Sequence, residues 1–158
     1  MSTLTNIPYA DIQLGQTATY SSTVGDKEVR LFAAVSGDVN PLHLDQAYAA
    51  TTPFGERIAH GMLTGGLISA AIAMELPGPG TVYRSQSLKF RAPVTLGDTL
   101  TVRLEVTDKK DRGPAVTLDC KVYNQHEKLV ASGTAEVIAP TEKLSLPRPP
   151  IPGFTRAD

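Results

Sequence analysis

The hydrophobic pattern divides the chain into an irregular first half and a regularly alternating second half. Residues Gln16 to Val24 alternate weakly, with Ala18, Tyr20, Ser22 and Val24 on one side, and predict a first strand. Gly25-Asp26 breaks it, and Asp26 is placed to cap a short helix carrying Val29, Phe32, Ala33 and Val35 on one side. Ser36-Gly37-Asp38-Val39-Asn40-Pro41 predicts a loop, because Gly, Asp and Asn favour turns and Pro41 lacks a donor. Asp45 then suggests the cap of another short helix through Ala50, closed by Thr51-Thr52-Pro53-Phe54-Gly55.

A longer helix is predicted from about Ile58 to Leu76. Its apolar residues lie on nearly every side, so it should run through the middle of the domain. Gly65, Gly66, Ser69, Ala70, Ala71 and Ala73 make it thin enough for other backbone to approach closely. Pro77-Gly78-Pro79-Gly80 ends it. Strands follow. Arg84 to Arg91 alternates Gln86, Leu88 and Phe90 against Ser85, Ser87 and Lys89, and Leu100 to Val106 alternates Leu and Val against polar residues. Ala115 to Tyr123 and Leu129 to Ile138 are joined by Asn124-Gln125-His126-Glu127-Lys128 as a hairpin. One thin apolar helix followed by four closely linked strands describes an α+β domain, an antiparallel sheet wrapped around a central helix. The domain is expected over residues 1–139, with a proline-rich extended arm at 140–158.

Composition narrows the function classes. The 158 residues suffice for one domain with its own core, and a formal net charge of -1 with scattered charges offers no basic run for nucleic acid or a membrane surface. The apolar stretch around Leu63 to Leu76 is short for a membrane span and rich in Gly, Ala and Ser. The first residues have neither a charged nor an apolar leader segment, and the single cysteine, Cys120, falls in phase with the buried positions of its strand. The expected setting is the cytoplasm.

Asp38 and His43 form the main candidate for chemistry. A carboxylate and an imidazole at the ends of one loop can hold a water between them, and histidine both takes and gives a proton near neutrality. In the competing reading Asp38 only closes an Asx-turn and His43 only packs. His60-Gly61 opens the long helix, where free N–H groups make an anion site and a glycine admits a ligand atom to the backbone. The competing reading there has Gly61 merely relieving crowding, and His60 is better read as a core histidine. The three histidines and one cysteine have no zinc spacing, and no glycine-rich phosphate motif precedes a helix, so neither a metal nor a cofactor is expected.

The run Phe32-Ala33-Ala34-Val35-Ser36-Gly37-Asp38-Val39-Asn40-Pro41-Leu42-His43-Leu44-Asp45 closely resembles the hydratase motif of the MaoC-like (R)-specific enoyl-CoA hydratases. Arg57-Ile58-Ala59-His60-Gly61-Met62-Leu63 looks like the start of that family's hot dog helix. Ser87-Leu88-Lys89-Phe90-Arg91-Ala92-Pro93-Val94 and Gly97-Asp98-Thr99-Leu100 follow in the family's order. The resemblance extends to about Ala139 and is nearest to the small single-domain hydratases that supply polyhydroxyalkanoate synthesis from fatty-acid β-oxidation. It implies a hot dog fold and syn addition of water to a trans-2-enoyl-CoA, giving an (R)-3-hydroxyacyl-CoA. Asp38 and His43 become the acid/base pair, Gly61 the oxyanion donor, and Asn40 a polar residue that shapes the loop. With Gly61 facing the thioester, helical periodicity brings Gly65, Ile68, Ser69 and Ile72 to the acyl chain. A homodimer is expected, since an exposed sheet edge invites pairing with a second copy, and the resemblance puts the active site near that interface. Other outcomes on the same fold are an acyl-carrier-protein dehydratase or a thioesterase. An outcome of another class is a non-catalytic acyl-CoA-binding protein.

Overall fold

The computed structural model describes residues 2–155, so Met1 and the last residues of the expected arm, 156–158, lie outside it. In chain order the elements are β1 (Thr3–Thr5), β2 (Thr17–Val24), α1 (Asp26–Ser36), α2 (Pro41–Leu44), α3 (Gln46–Ala50) and α4 (Gly61–Met74). They continue with β3 (Val82–Phe90), β4 (Asp98–Lys110), β5 (Ala115–Tyr123), β6 (Leu129–Ile138) and β7 (Ser145–Pro147). Strands β2, β4, β5, β6 and β3 form, in that order, one antiparallel sheet. Its core side packs on α4, and this is the α+β arrangement expected from the sequence.

The alternation explains which face is buried. Leu100, Val102, Leu104 and Val106 of β4 and Leu118, Cys120 and Val122 of β5 are at most 1% exposed and meet Leu63, Ile68, Ala71 and Ile72 of α4. Burial pushes the Cys120 thiol up to about 11, so it stays protonated within this apolar layer. Strand β4 runs beyond the expected Val106 because a bulge between Val106 and Asp108 interrupts the alternation without ending the pairing with β5.

Four expectations are corrected. Asp26 is the first residue of α1, not its cap; Gly25 holds the cap position, and its N–H donates to the Glu28 carboxylate at 3.0 Å. Asn40 and Pro41 do not continue a loop but start α2, with Asn40 Oδ1 accepting from the Leu42 N–H and Pro41 at the first helical position, where a missing donor costs nothing. Helix α4 starts at Gly61 and not Ile58, because Ile58 bridges to Thr95 and the Ala59 N–H donates to the Val94 carbonyl. Nor is α4 buried all round: Leu63, Thr64, Ile68, Ala71 and Ile72 are covered, but Met62 is 60% exposed and Gly66 and Ala73 are open.

Part of the 140–158 segment is pinned to the N-terminal residues. Strand β7 pairs antiparallel with β1, which shows no alternation in the sequence. Fully buried Asn6 ties them together, donating from Nδ2 to the Pro79 and Glu142 carbonyls and accepting from the Leu144 N–H. Among the described residues no helix is long and apolar enough to cross a membrane.

Candidate active site

Helix α1 ends at Gly37, whose φ of 80° turns the chain left-handed and sends Asp38 back across the start of α4. Ser36 Oγ donates to the Phe32 carbonyl and accepts from the Asp38 N–H at 3.1 Å, while Asp38 Oδ1 accepts from the Asn40 N–H at 3.2 Å. The Asx-turn reading is therefore correct, and it occupies only one carboxylate oxygen. The other, Oδ2, points to His43 Nε2 at 3.8 Å and His60 Nε2 at 4.0 Å.

His43 is buried on α2 with its ring fixed from behind. Its Nδ1 lies 2.7 Å from the Ile58 carbonyl, which only accepts, so Nδ1 carries the proton and Nε2 presents a lone pair to Asp38 when the ring is neutral. Its backbone is held too. Arg57 donates from Nε to the His43 carbonyl at 2.7 Å and from Nη2 to Asp26, which Arg30 also grips. The hydrogen bonds from Arg30 and then Arg57 hold the Asp26 carboxyl below its ordinary range.

His60, at the N-cap of α4, is 3% exposed. Its Nε2–H donates to the Asp38 carbonyl at 3.0 Å, its ring stacks on His43 with centroids 3.8 Å apart, and Phe32 leans on it at 4.8 Å. The expectation of a satisfied core histidine fails, since its buried Nδ1 has no hydrogen-bond partner. Gly61 follows as the first residue of α4, where an N–H has no intrahelical acceptor. Asp38, His43, His60 and Gly61 line one open cleft of about 450 Å³, flanked by Phe32 and Phe90.

Asp38, His43 and His60 hold ligand atoms within 4.8 Å of one another, close enough to grip a divalent ion, and are the one such group among the described residues. The two rings are stacked within 27° of parallel and His60 Nε2 is committed to a carbonyl, so their lone pairs do not converge on one point. The arrangement suits proton transfer better. A water 2.8 Å from both Asp38 Oδ2 and His43 Nε2, whose 3.8 Å separation is too long for a direct hydrogen bond, subtends about 85° between them.

From the cleft a groove of about 600 Å³ runs between α4 and β3, sharing Phe32, Met62 and Phe90. Gly65 and Ser69 line it opposite Leu88. At its far end the Tyr83 hydroxyl donates to Gln86 Oε1, and burial pushes the Tyr83 phenol up to about 12. Ile68 and Ile72, expected beside the acyl chain, are 0% and 1% exposed in the core and line none of the described cavities. Ile72 still falls on the helical line of Gly65, two turns on, at the edge between the groove and the core. Sequence reasoning missed Phe32, Met62 and Phe90 as cleft walls. Met62 and Phe90 are apolar side chains at exposed positions and Phe32 is half-buried, a signal visible only once the fold is known.

A central helix wrapped by an antiparallel sheet, with a carboxylate and an imidazole beside the helix N-terminus, defines a hot dog-fold protein whose cleft brings together groups suited to acid/base chemistry. Residues 10–127 match the family described as the MaoC like domain, and the chain belongs to that family. It is 45% identical over 134 residues to the (R)-specific enoyl-CoA hydratase of Rhodospirillum rubrum, covering 84% of this chain and 91% of that protein. The solved structure of the unliganded R-hydratase PhaJ1 from Pseudomonas aeruginosa is 54% identical, with a TM-score of 0.94 over 99% of this chain and 100% of that one. The (R)-hydratase from Aeromonas caviae involved in PHA biosynthesis is 44% identical, with a TM-score of 0.79 over 82% of this chain and 98% of that one.

Proposed function

We propose that the protein is an (R)-specific enoyl-CoA hydratase, adding water reversibly and in syn fashion to a trans-2-enoyl-CoA. The carrying observation is that Asp38 Oδ2 and His43 Nε2, 3.8 Å apart, share a cleft lined by Gly61, the first residue of α4. The oxygen of a water held by the pair bonds to C3 while the pair takes one of its protons. The C2–C3 π electrons move toward the thioester oxygen, where the Gly61 N–H stabilises the developing enolate. As the carbonyl re-forms, C2 takes one proton back from the pair, which regains its starting state, and one water has been added. Donor and acceptor lie on one side of the substrate, so both additions come from one face. Handedness follows the relatives, which are named for R specificity.

The acyl tail lies in the groove along Gly65 and Ser69, with Ile68 and Ile72 beneath it, and the product suits polyhydroxyalkanoate supply as in the Aeromonas caviae relative. Asn40 acts by capping α2 and so presenting His43. The working form is a homodimer: edge strand β3 and the open side of α4 expose Val82 at 59%, Met62 at 60% and Phe90 at 53%, an apolar surface beside the cleft that a second copy would cover. Because CoA thioesters are intracellular metabolites, the enzyme is placed in the cytoplasm.

The test is loss of enoyl-thioester absorbance on mixing the protein with crotonyl-CoA, followed by chiral analysis of the product. Asp38→Asn and His43→Gln should each lower kcat by ~10²–10⁴ with the fold retained. Near-normal turnover in either variant refutes the assignment, and sedimentation as a stable monomer at micromolar concentration refutes the dimer.

A further inference from the structure

We propose that His60 is a positioning residue that locks the proton-handling pair to the oxyanion donor; the inference rests on Asp38 and His43 being that pair. Three parts of the site depend on this one side chain and its backbone. The Nε2–H holds the Asp38 carbonyl at 3.0 Å, which sets where the Asp38 loop lies. The ring face stacks on His43 at 3.8 Å, which limits the tilt of that imidazole, and Phe32 supports the stack from the side. The peptide linking His60 to Gly61 carries the first N–H of α4.

Asp38, His43 and Gly61 come from a loop, from α2 and from α4, and His60 is in contact with all three segments. Its burial carries a cost, because Nδ1 is enclosed without a hydrogen-bond partner. A phenylalanine or leucine would fill the space without that cost, so volume alone does not account for an imidazole here. Nε2, committed as a donor, makes Nδ1 the unprotonated nitrogen, and protonating it would bury an unpartnered N–H against a second imidazole. The groups that face His60 are the ones proposed to exchange a proton. Those groups are Asp38 from the loop and His43 from α2, and Arg57 bonds the His43 backbone.

The two contacts separate by substitution. His60→Phe keeps an aromatic stack and loses the donor to Asp38; His60→Gln keeps a donor of similar reach and loses the stack; His60→Ala loses both. Misplacing reacting groups by about 1 Å costs ~10²-fold, so His60→Ala should lower kcat on crotonyl-CoA by ~10²-fold, the other two by ~10-fold each, with KM within about twofold. The decisive measurement places His60→Ala or His60→Gln on a His43→Gln background at high enzyme concentration. A residue acting through His43 adds less than about a threefold further loss there, whereas an independent structural defect multiplies through in full. Full multiplication, or kcat within about threefold of wild type for folded His60→Ala, overturns the proposal. If His60→Ala fails to fold, His60→Gln alone decides by the same two criteria. Should His43→Gln itself retain normal turnover, the underlying assignment of the pair has failed, not this inference.

Discussion

Adding one methyl group at Gly61 separates the two readings of that glycine. A Cβ built there lies 3.1 Å from Phe90 Cε1 and Cζ and 3.3 Å from Cδ1, inside the ~3.5–4.0 Å optimum for carbon contacts. The ring must yield by a few tenths of an ångström, and at 53% exposure it can. Against that crowding, alanine gains up to ~1 kcal/mol of helix propensity over glycine, so the net change in stability should stay within about 1 kcal/mol. For a domain of this size that moves Tm by no more than ~4 °C. The functional effect should be larger. A helical Cα–Cβ bond tilts toward the N-terminus, so the methyl projects into the space in front of the first-turn N–H groups. Losing one oxyanion donor costs ~10²–10³ in kcat, about 2.7–4 kcal/mol, well above the stability change. Gly61→Ala should therefore melt normally and turn over crotonyl-CoA ~10²–10³ more slowly. The control is Gly61→Ala combined with Phe90→Leu, compared with Phe90→Leu alone. If removing the crowded ring restores activity, Gly61 serves only to seat Phe90, and the oxyanion assignment is refuted.

Gly133→Ala should be far more damaging to the fold, because its Cβ would lie 1.8 Å from the Ser87 carbonyl oxygen, backbone that cannot rotate away where β6 meets β3. The loss should exceed the ~1–3 kcal/mol usual for overpacking, and a variant melting within a few degrees of wild type contradicts the pairing. Asp26→Asn tests the arginine clamp behind His43. A carboxyl whose folded pKa is depressed adds stability that is present above the ordinary carboxylate pKa and disappears as pH falls through the folded value. The variant should thus lose under about 1 kcal/mol at neutral pH and unfold less steeply than wild type below about pH 4, and identical acid profiles refute the clamp. Ile72→Ala should cost ~2–5 kcal/mol of stability from its fully enclosed position, while raising kcat/KM for an eight-carbon relative to a four-carbon enoyl-CoA. Equal losses at both lengths make Ile72 a core residue only.

The sheet was readable from the sequence wherever one face of a strand meets the core. Leu100 to Val106, Ala115 to Tyr123 and Leu129 to Ile138 alternate because alternate side chains are buried, and those strands are where expected. Prediction failed where pairing involves no core face. Strands β1 and β7 bury almost nothing between them and are held by backbone bonds and Asn6, so they have no period to detect. The start of α4 was placed three residues early for a related reason. Ile58 and Ala59 are apolar at helical spacing, yet their backbone pairs with Thr95 and Val94, leaving His60 extended at the cap.

At the site, the geometry of the Asx-turn does not exclude the geometry that the acid/base reading needs. Asp38 closes its Asx-turn with Oδ1 and faces the histidines with Oδ2, so the local bond leaves the second oxygen aimed at the two rings. Helix α4 shows the limit of periodicity from the other direction. A period of 3.6 puts Gly65, Ser69 and Ile72 along one side, but in a helix apolar all round it cannot say where core ends and groove begins. That boundary is set by β3, which lies beyond the proline-glycine turn and brings Leu88 to 3.5 Å from where a Gly65 Cβ would be. A Cβ there would already touch Leu88 and would press on Met62 Cε at 3.2 Å, so any larger side chain would fill the space between helix and strand, and the missing side chain at Gly65 is what keeps the groove open.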